Sequence, residues 1–433
     1  MNNHSAVAMF RSHKGYSRLF TAGLINGIGD RFTSVAVLAL VLQLTGSGMA
    51  VGISLGVRLL PYLFLAPLGG ILSSKIPRKY IMIATDMLRV PVALAFLWVD
   101  GEENLWLLYM ASFLLAAGEA IYSPVRKSTI PLLVTKDSLL TVNGLEQLMS
   151  GCVLILGAFS GGVVSMWFGP EAAFIMNAVS FLIAAMLIYG IDFPQHTEMA
   201  TVAKKATYSP EGDLEKSAEE AKYGRLRALG MVIGGSLTLQ VIFGYELLVP
   251  LLNGLDNVLI SVYAIQVFHT GDIGVGAFYA ALGVGLSLSF FISRYLKKGL
   301  LIVAIGGLLL EGVLLMGISV SNHFAAALML YILLSFAGGT GNACLDTLVM
   351  RKTPSAIQPF VFGLLSAVGN TLLGLSMLFA GWLLEGVEPR MVGFVGGAGF
   401  AAVALLLAGY RGYAARKNVL KKGGGFTVPW KFF

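Results

Sequence analysis

The amino-acid sequence predicts an all-α membrane protein with twelve transmembrane helices in two pseudo-symmetric six-helix bundles, with both termini in the cytoplasm. Three observations predict this fold: the composition, the recurrence of long apolar stretches, and the distribution of Lys and Arg. Of the 433 residues, 56% are hydrophobic and only 12% are charged, about half the charged fraction of a typical soluble domain. A chain whose surface faces lipid needs few ionic groups, which explains this composition.

Apolar stretches long enough to cross a bilayer recur along the chain with short polar breaks between them. The predicted helices cover residues 19–43, 50–73, 80–99, 105–125, 139–166, 171–191, 242–268, 273–295, 300–320, 323–348, 358–384 and 390–413. A long polar segment separates the first six from the last six. The chain therefore divides into an N-terminal bundle (1–191), a cytoplasmic linker with an interfacial segment (192–240), a C-terminal bundle (241–413) and a cytoplasmic tail (414–433).

Lys and Arg follow the alternation expected when positively charged loops stay in the cytoplasm. With the N-terminus inside, all 30 of them fall in cytoplasmic segments except Arg31, Arg58 and Arg89, within predicted helices, and Arg390, outside. Adding or omitting one helix would destroy this pattern, so it supports both the number of helices and the position of the termini. It also explains the net charge of +7 without binding to nucleic acid.

The remaining composition argues against several classes of protein. Cys152 and Cys344 lie within apolar stretches, where cysteine packs as a small core residue, so no disulfide is expected. The five His lie in loops or tails without metal-ligand spacing, so we expect neither a metal nor another cofactor. The absence of a nucleophile motif argues against a membrane enzyme, and no large soluble domain supports a receptor or scaffold. No P-loop occurs, so ATP is not expected as the direct energy source.

The two predicted halves share short motifs in the same order, which indicates an internal duplication. Residues 24–37 read LINGIGDRFTSVAV and residues 251–264 read LLNGLDNVLISVYA. The corresponding residues are Asp30 and Asp256, one position apart in register, Gly118 and Gly338, and Gly144 and Gly363. Duplicated six-helix halves are typical of secondary transporters, whose substrate path lies between the halves.

Three longer stretches carry motifs of a known family. They are LAPLGGILSSKIPRKYIMIATDMLR (65–89), IYSPVRKSTIPLLVTKDSLLTVNGL (121–145) and LLNGLDNVLISVYA (251–264). They resemble the major facilitator superfamily, and within it the bacterial branch that includes enterobactin exporters and macrolide efflux pumps. The resemblance covers essentially the whole chain except its ends and linker. It implies that the two halves rock about a central site and alternately expose it to the two sides of the membrane.

The first stretch resembles the signature loop of the superfamily, with one departure. Ser74 occupies the position of an Asp that in the family helps to close the cytoplasmic side. The resemblance thus implies a cytoplasmic gate, for which the candidates are Gly70, Ser74, Arg78, Asp86, Arg89 and Glu146. We expect Asp86 and Arg89 to substitute for the missing acid, and Glu146 to pair with Arg126 or Lys127.

Ionisable residues inside membrane helices are functional candidates, because inserting each one costs about 2.5–3.5 kcal/mol. The candidates for proton coupling or substrate contact are Asp30, Glu119, Asp256, Arg58 and Arg31, and those for polar residues along the pathway are Asn26, Tyr122, Asn253 and Asn257. A carboxyl that alternates between dry and wet surroundings can take up and release a proton. The competing interpretation is that Asp30 forms a structural bridge with Arg58. For Glu311, packing or a lipid-facing position is an alternative to function.

These observations favour a monomeric transporter of the bacterial inner membrane that exports a small or medium-sized amphipathic molecule in exchange for protons. A drug, a macrolide or a siderophore has the expected character. The alternative is a lysophospholipid flippase or a facilitator that needs no protons, because YSPVRKS (122–128) also resembles a lipid-transporting relative.

Overall fold

The computed structural model describes residues 6–46, 48–193 and 229–423, most of which are helical. The N-terminal half contains α1 (Lys14–Thr45), α2a (Gly48–Val57), α2b (Leu60–Leu72), α3 (Arg78–Ala95), α4 (Leu105–Leu133), α5 (Leu139–Cys152) and α6 (170–189). The C-terminal half contains α7 (Leu237–Val262), α8 (Gly271–Ser293), α9 (Leu300–Val320), α10 (Phe324–Lys352), α11 (Gln358–Leu383) and α12 (Pro389–Gly423). Within these described ranges, eleven helices are long and apolar enough to cross a membrane.

The predicted span 50–73 is the exception, because it is divided into two shorter helices. α2a ends at Val57 and α2b begins at Leu60, with Arg58 and Leu59 between them. Pro61 lies in the first turn of α2b. Its ring removes one backbone donor and would clash with the carbonyl four residues earlier, so a continuous helix is disfavoured at this point. The sequence predicted that Arg58 lies within a continuous helix. In the structure it lies at a break between two helices.

The boundary between α5 and α6 depends on one glycine. α5 continues through a π-helical turn, Val153–Gly157, into the helical stretch Ala158–Tyr189. Within that stretch Gly169 has φ 81°, in the left-handed region that favours glycine, and Pro170 follows it. The chain bends there, close to the predicted boundary between residues 166 and 171.

The entry to the C-terminal half differs from the prediction. Residues 229–234 form a separate short helix, and α7 begins at Leu237 and not at 242. Most of the predicted linker, residues 194–228, lies outside the described residues. Because α7 begins five residues earlier than predicted, each of its residues from 242 onwards lies farther along the helix, counted from the helix start, than the sequence had indicated.

The two halves meet along four helix pairs: α2b with α11, α4 with α11, α5 with α8, and α5 with α10. Glycines permit the close approach at these crossings. A Cβ atom on Gly70 would overlap the backbone of Phe360, and one on Gly363 would overlap the backbone of Ala66. Small residues at helix crossings serve this purpose in membrane proteins. Here they bring α2b and α11 together at one end of the molecule.

Candidate functional site

Arg89 of α3 lies at the centre of a buried charged cluster, which we define as Asp30, Asp86, Arg89 and Glu119. Arg89 Nη2 donates a hydrogen bond to Asp30 Oδ2 at 2.7 Å, and Nη1 donates one to Glu119 Oε2 at 3.1 Å. Asp86 Oδ1 lies 3.9 Å from Nη1. Arg89 is only 2% exposed, so the acids surround a cation that has almost no contact with solvent. The cluster joins α1, α3 and α4.

Local packing explains why Arg89 can take this position. Gly118 of α4 lies directly beneath its side chain, and a Cβ atom there would lie 2.7 Å from Arg89 Cδ. On another side the guanidinium lies over the ring of Phe181, 4.2 Å from the ring centroid. Asn177 of α6 donates to Asp30 Oδ1 at 3.4 Å, and Asn26 donates to Asp86 Oδ1 at 3.0 Å. Cation–π contact and paired carboxylates together fix the guanidinium.

The competing interpretation of Asp30 as a structural bridge with Arg58 is wrong. Asp30 does not pair with Arg58, because Arg89 binds it instead and Arg58 Nη1 donates to Ser34 Oγ at 2.7 Å. Asp86 and Arg89, which the sequence suggested as substitutes for the acid missing at Ser74, both belong to the charged cluster, and their ion pairs and hydrogen bonds within the described residues are to the N-terminal half. Arg31 points away from the cluster: it is exposed and forms no ion pair within the described part of the chain.

The charged cluster borders a cavity of about 210 Å³, the charged chamber. Its lining residues are Asp30, Arg58, Leu59, Tyr62, Arg89, Leu115, Ala116, Glu119 and Asn370. Three of the five predicted coupling candidates therefore line one cavity. Asn370 belongs to α11, so the C-terminal half closes one wall of a chamber whose charges all come from the N-terminal half.

A second cavity of about 280 Å³, the inter-half chamber, also includes Asn370 in its wall. Its lining residues are Ser123, Pro124, Lys127, Glu246, Pro250, Asn253, Asp346, Phe362, Leu365, Ser366, Gly369, Asn370 and Leu373. These come from α4 of the first half and from α7, α10 and α11 of the second. Asn253, a predicted pathway residue, is here, whereas Glu246 and Asp346 are residues that the sequence did not assign to the pathway.

One end of the bundle is held closed by contacts between the halves. We define it as the basic end, which carries the loops 73–77, 134–138, 294–299 and 353–357 and was predicted to be cytoplasmic. Lys127 Nζ of α4 lies 3.0 Å from Asp346 Oδ2 of α10. Arg78 Nη2 donates to the carbonyl of Ser355 at 2.7 Å, and Asn143 donates to Thr347 Oγ1 at 2.9 Å.

The predicted gate residues divide between bridging and internal roles. Gly70 and Arg78 contact the opposite half, whereas Ser74 is exposed and its hydroxyl donates to the carbonyl of Ile71 at 2.7 Å. Glu146 stays within its own half, where Arg126 Nη1 donates to Oε2 at 2.6 Å. At this end of the molecule a backbone carbonyl, that of Ser355, thus accepts a hydrogen bond from Arg78.

In the C-terminal half the buried acids have few partners. Tyr331 of α10 donates to Asp256 Oδ1 at 2.8 Å. Glu311 of α9 is 7% exposed, and its Oε1 has no hydrogen-bond partner among the described residues. Its carboxyl packs against Gly338, so it lies inside the bundle and not on the lipid face. Asn257 donates to the carbonyl of Asn253 at 2.9 Å.

Tyr122 does not contribute to either cavity. Its ring is buried, and its hydroxyl has no hydrogen-bond partner within the described ranges. The residue therefore packs in the protein interior on α4, the helix that also carries Glu119.

Membrane-length helices in two halves, with chambers lined from both, define a multi-pass membrane transporter. The chain belongs to the Major Facilitator Superfamily, whose sequence model matches residues 19–375. The resemblance inferred from the sequence motifs is therefore confirmed at the level of the superfamily.

Individual relatives differ in how much of the chain they match. Macrolide efflux protein A of Streptococcus pyogenes is 24% identical over 39% of this chain and 42% of that protein. The lysophospholipid transporter LplT of Klebsiella pneumoniae is 24% identical over 91% of this chain and 95% of that protein. Among solved structures, the human organic anion transporter MFSD10 (TETRAN) has a TM-score of 0.71 at 14% identity, covering 90% of this chain and 98% of that one. The last comparison shows a shared fold.

Proposed function

We propose that the protein exports a small or medium-sized amphipathic organic molecule from the bacterial cytoplasm in exchange for protons. The observation that carries the proposal is the position of Arg89, shared between Asp30 and Glu119 at the wall of the charged chamber. Arginine stays protonated under physiological conditions. If one carboxyl takes up a proton, the other still neutralises the guanidinium. The cluster can therefore change its charge by one proton without leaving a buried cation unpaired.

The solvent exposure of the two carboxyls supports a role in proton binding. The side chains of Asp30 and Glu119 are 23% and 32% exposed, whereas that of Arg89 is 3% exposed. The two carboxyls are thus the accessible members of the cluster. A proton that arrives through the chamber would reach them before any other part of the network.

Alternating access requires that the basic end open as the opposite end closes. In this proposal the basic end faces the cytoplasm, so the closed contacts there correspond to a state that releases substrate outward. The Lys127–Asp346 ion pair and the Arg78 hydrogen bond to Ser355 hold this state. Both contacts are polar, which suits contacts that must break in every transport cycle.

The test is transport into inverted membrane vesicles with a radiolabelled macrolide as the probe. Asp30→Asn should abolish uptake driven by a proton gradient, because the amide cannot exchange a proton. Asp137→Asn is the matched control, since Asp137 is exposed in a loop at the basic end. Size-exclusion chromatography would establish that both variants are folded. Full proton-driven uptake by Asp30→Asn would rule out Asp30 as the coupling site.

A second candidate function, lysophospholipid flipping without protons, is favoured by an apolar cavity of about 300 Å³ next to the charged chamber. Leu59 lines both cavities. The apolar cavity lies between α2a, α2b, α7 and α11, and Leu60 and Leu378 in its wall are exposed. A charged head and a single acyl chain would match this pair of cavities. Uptake of fluorescent lysophosphatidylethanolamine that persists after collapse of the proton gradient would favour this function over antiport.

A further inference from the structure

We propose that the inter-half chamber binds a positively charged group of the substrate, an ammonium or another organic cation, through Glu246. The inference rests on the proposed transport function and deepens it, because it specifies the charge of the substrate and the residue that recognises it. Glu246 has no part in the charged cluster, and it comes from the opposite half of the molecule.

The depth of Glu246 follows from where α7 begins. With α7 starting at Leu237, Glu246 lies about 14 Å along the helix, within the membrane region. It shares one helix face with Pro250 and Asn253, which follow it by four and seven residues, and all three line the inter-half chamber. The side chain therefore faces a cavity between the two halves and not lipid.

Glu246 forms neither an ion pair nor a hydrogen bond within the described residues, whereas the cation that lines the same chamber is already paired. Lys127 is the one Lys or Arg that lines the inter-half chamber. Its Nζ lies 3.1 Å and 3.0 Å from the two carboxylate oxygens of Asp346. The chamber thus contains two acids and one base. An acid without a counter-ion at this depth is costly, and a bound cation would neutralise it.

The rest of the chamber wall suits the body of an organic cation. Phe362 also lines the chamber, and its ring centroid lies 5.7 Å from Lys127 Nζ, within the range at which aromatic rings attract cations. Leu365, Leu373 and Pro250 provide apolar surface, while Asn370 adds a polar group. The volume of about 280 Å³ is slightly below that of a typical small-molecule site, about 300–1,000 Å³. It would hold the cationic part of an amphipathic substrate, with the remainder extending towards the charged chamber across Asn370.

The test uses two probes of nearly identical shape and opposite charge, tetraphenylphosphonium and tetraphenylborate. Equilibrium dialysis with purified protein in nanodiscs, after subtraction of the binding of each ion to empty nanodiscs of the same lipid, would measure their affinities for the protein. The wild-type protein should bind the cation more tightly than the anion. Glu246→Gln should weaken binding of tetraphenylphosphonium by about tenfold or more, because it removes the charge of the carboxylate. Glu246→Asp should retain part of the affinity.

Glu103→Gln is the matched control, because Glu103 is an exposed acid in the loop between α3 and α4, and it should bind both probes as the wild type does. Equal affinity of the wild type and Glu246→Gln for tetraphenylphosphonium would overturn the inference. So would wild-type protein that binds the anion as tightly as the cation, a result that needs no variant to fold. Dialysis requires no proton gradient, so failure of proton coupling in the Asp30→Asn experiment would leave this test unaffected.

Discussion

The centres of the two halves have the same scaffold with opposite contents. In the N-terminal half, Gly118 of α4 forms a hollow that holds the side chain of Arg89 from α3. In the C-terminal half, the corresponding Gly338 of α10 forms a hollow that holds Glu311 from α9. The two hollows therefore share the glycine and the helix crossing, but the second has an acid in place of the cation.

This replacement changes what surrounds the first-helix acid of each half. Asp30 binds the guanidinium of Arg89 at 2.7 Å, whereas Asp256 accepts one hydrogen bond from the neutral hydroxyl of Tyr331 at 2.8 Å. One half compensates its buried charge with an ion network, whereas in the other Asp256 and Glu311 have no Lys or Arg partner among the described residues. The comparison predicts that substitutions at matching positions will have unequal effects.

The largest effect is expected for Arg89→Met, which should destabilise the protein by about 3–5 kcal/mol, because it leaves the buried Asp86 and the partly buried Asp30 and Glu119 without their cation. Thermal unfolding in detergent, followed by tryptophan fluorescence, would measure the loss. Adding Asp30→Asn and Glu119→Gln to Arg89→Met should restore part of the stability, since the triple variant no longer has those two negative charges without a cation. An Arg89→Met protein as stable as the wild type would contradict the assignment of Arg89 as the centre of the network.

An intermediate and unequal effect is expected for alanine at the two glycine hollows. At Gly118 a Cβ atom would lie 2.7 Å from both Cγ and Cδ of Arg89, while at Gly338 it would lie 3.2 Å from the carboxyl of Glu311. Gly118→Ala should therefore cost about 1–3 kcal/mol, in the range of overpacked cores, and Gly338→Ala should cost less. The same unfolding assay compares them. Equal costs would show that the two hollows are not distinguished by what they hold.

Only part of this asymmetry could be predicted from the sequence. The acids Asp30, Glu119 and Asp256 were identified because charge is rare in apolar stretches, and the order of the repeats gave the correspondence of the glycines. The partner of Asp30 could not be predicted, because pairing depends on how each helix is rotated about its axis. Arg58 was the more obvious choice until the break at Pro61 and the bond to Ser34 were known.

The depth of Glu246 was missed for a related reason. With α7 predicted to begin at 242, Glu246 falls in the first turns, near the membrane surface. The observed start at Leu237 moves it more than one helical turn deeper. Ser236 lies before α7 with extended backbone angles, and the apolar residues on both sides of it gave no boundary in the hydropathy pattern. The start of a helix is therefore difficult to predict from hydropathy where only a few polar residues interrupt a long apolar stretch.

The smallest effect is expected for Glu311→Gln, and its sign distinguishes the two halves. The amide has the same shape as the carboxyl but no charge, and no ion pair is lost because Glu311 has none among the described residues. We expect unfolding stability to be unchanged or raised by up to about 1 kcal/mol, since a buried charge without a partner is unfavourable. Glu119→Gln in the other half loses a hydrogen-bonded ion pair with Arg89 and should lower stability. If both variants were destabilised equally, Glu311 would have to possess a compensating partner in the folded protein, and the two halves would be alike in how they neutralise their acids.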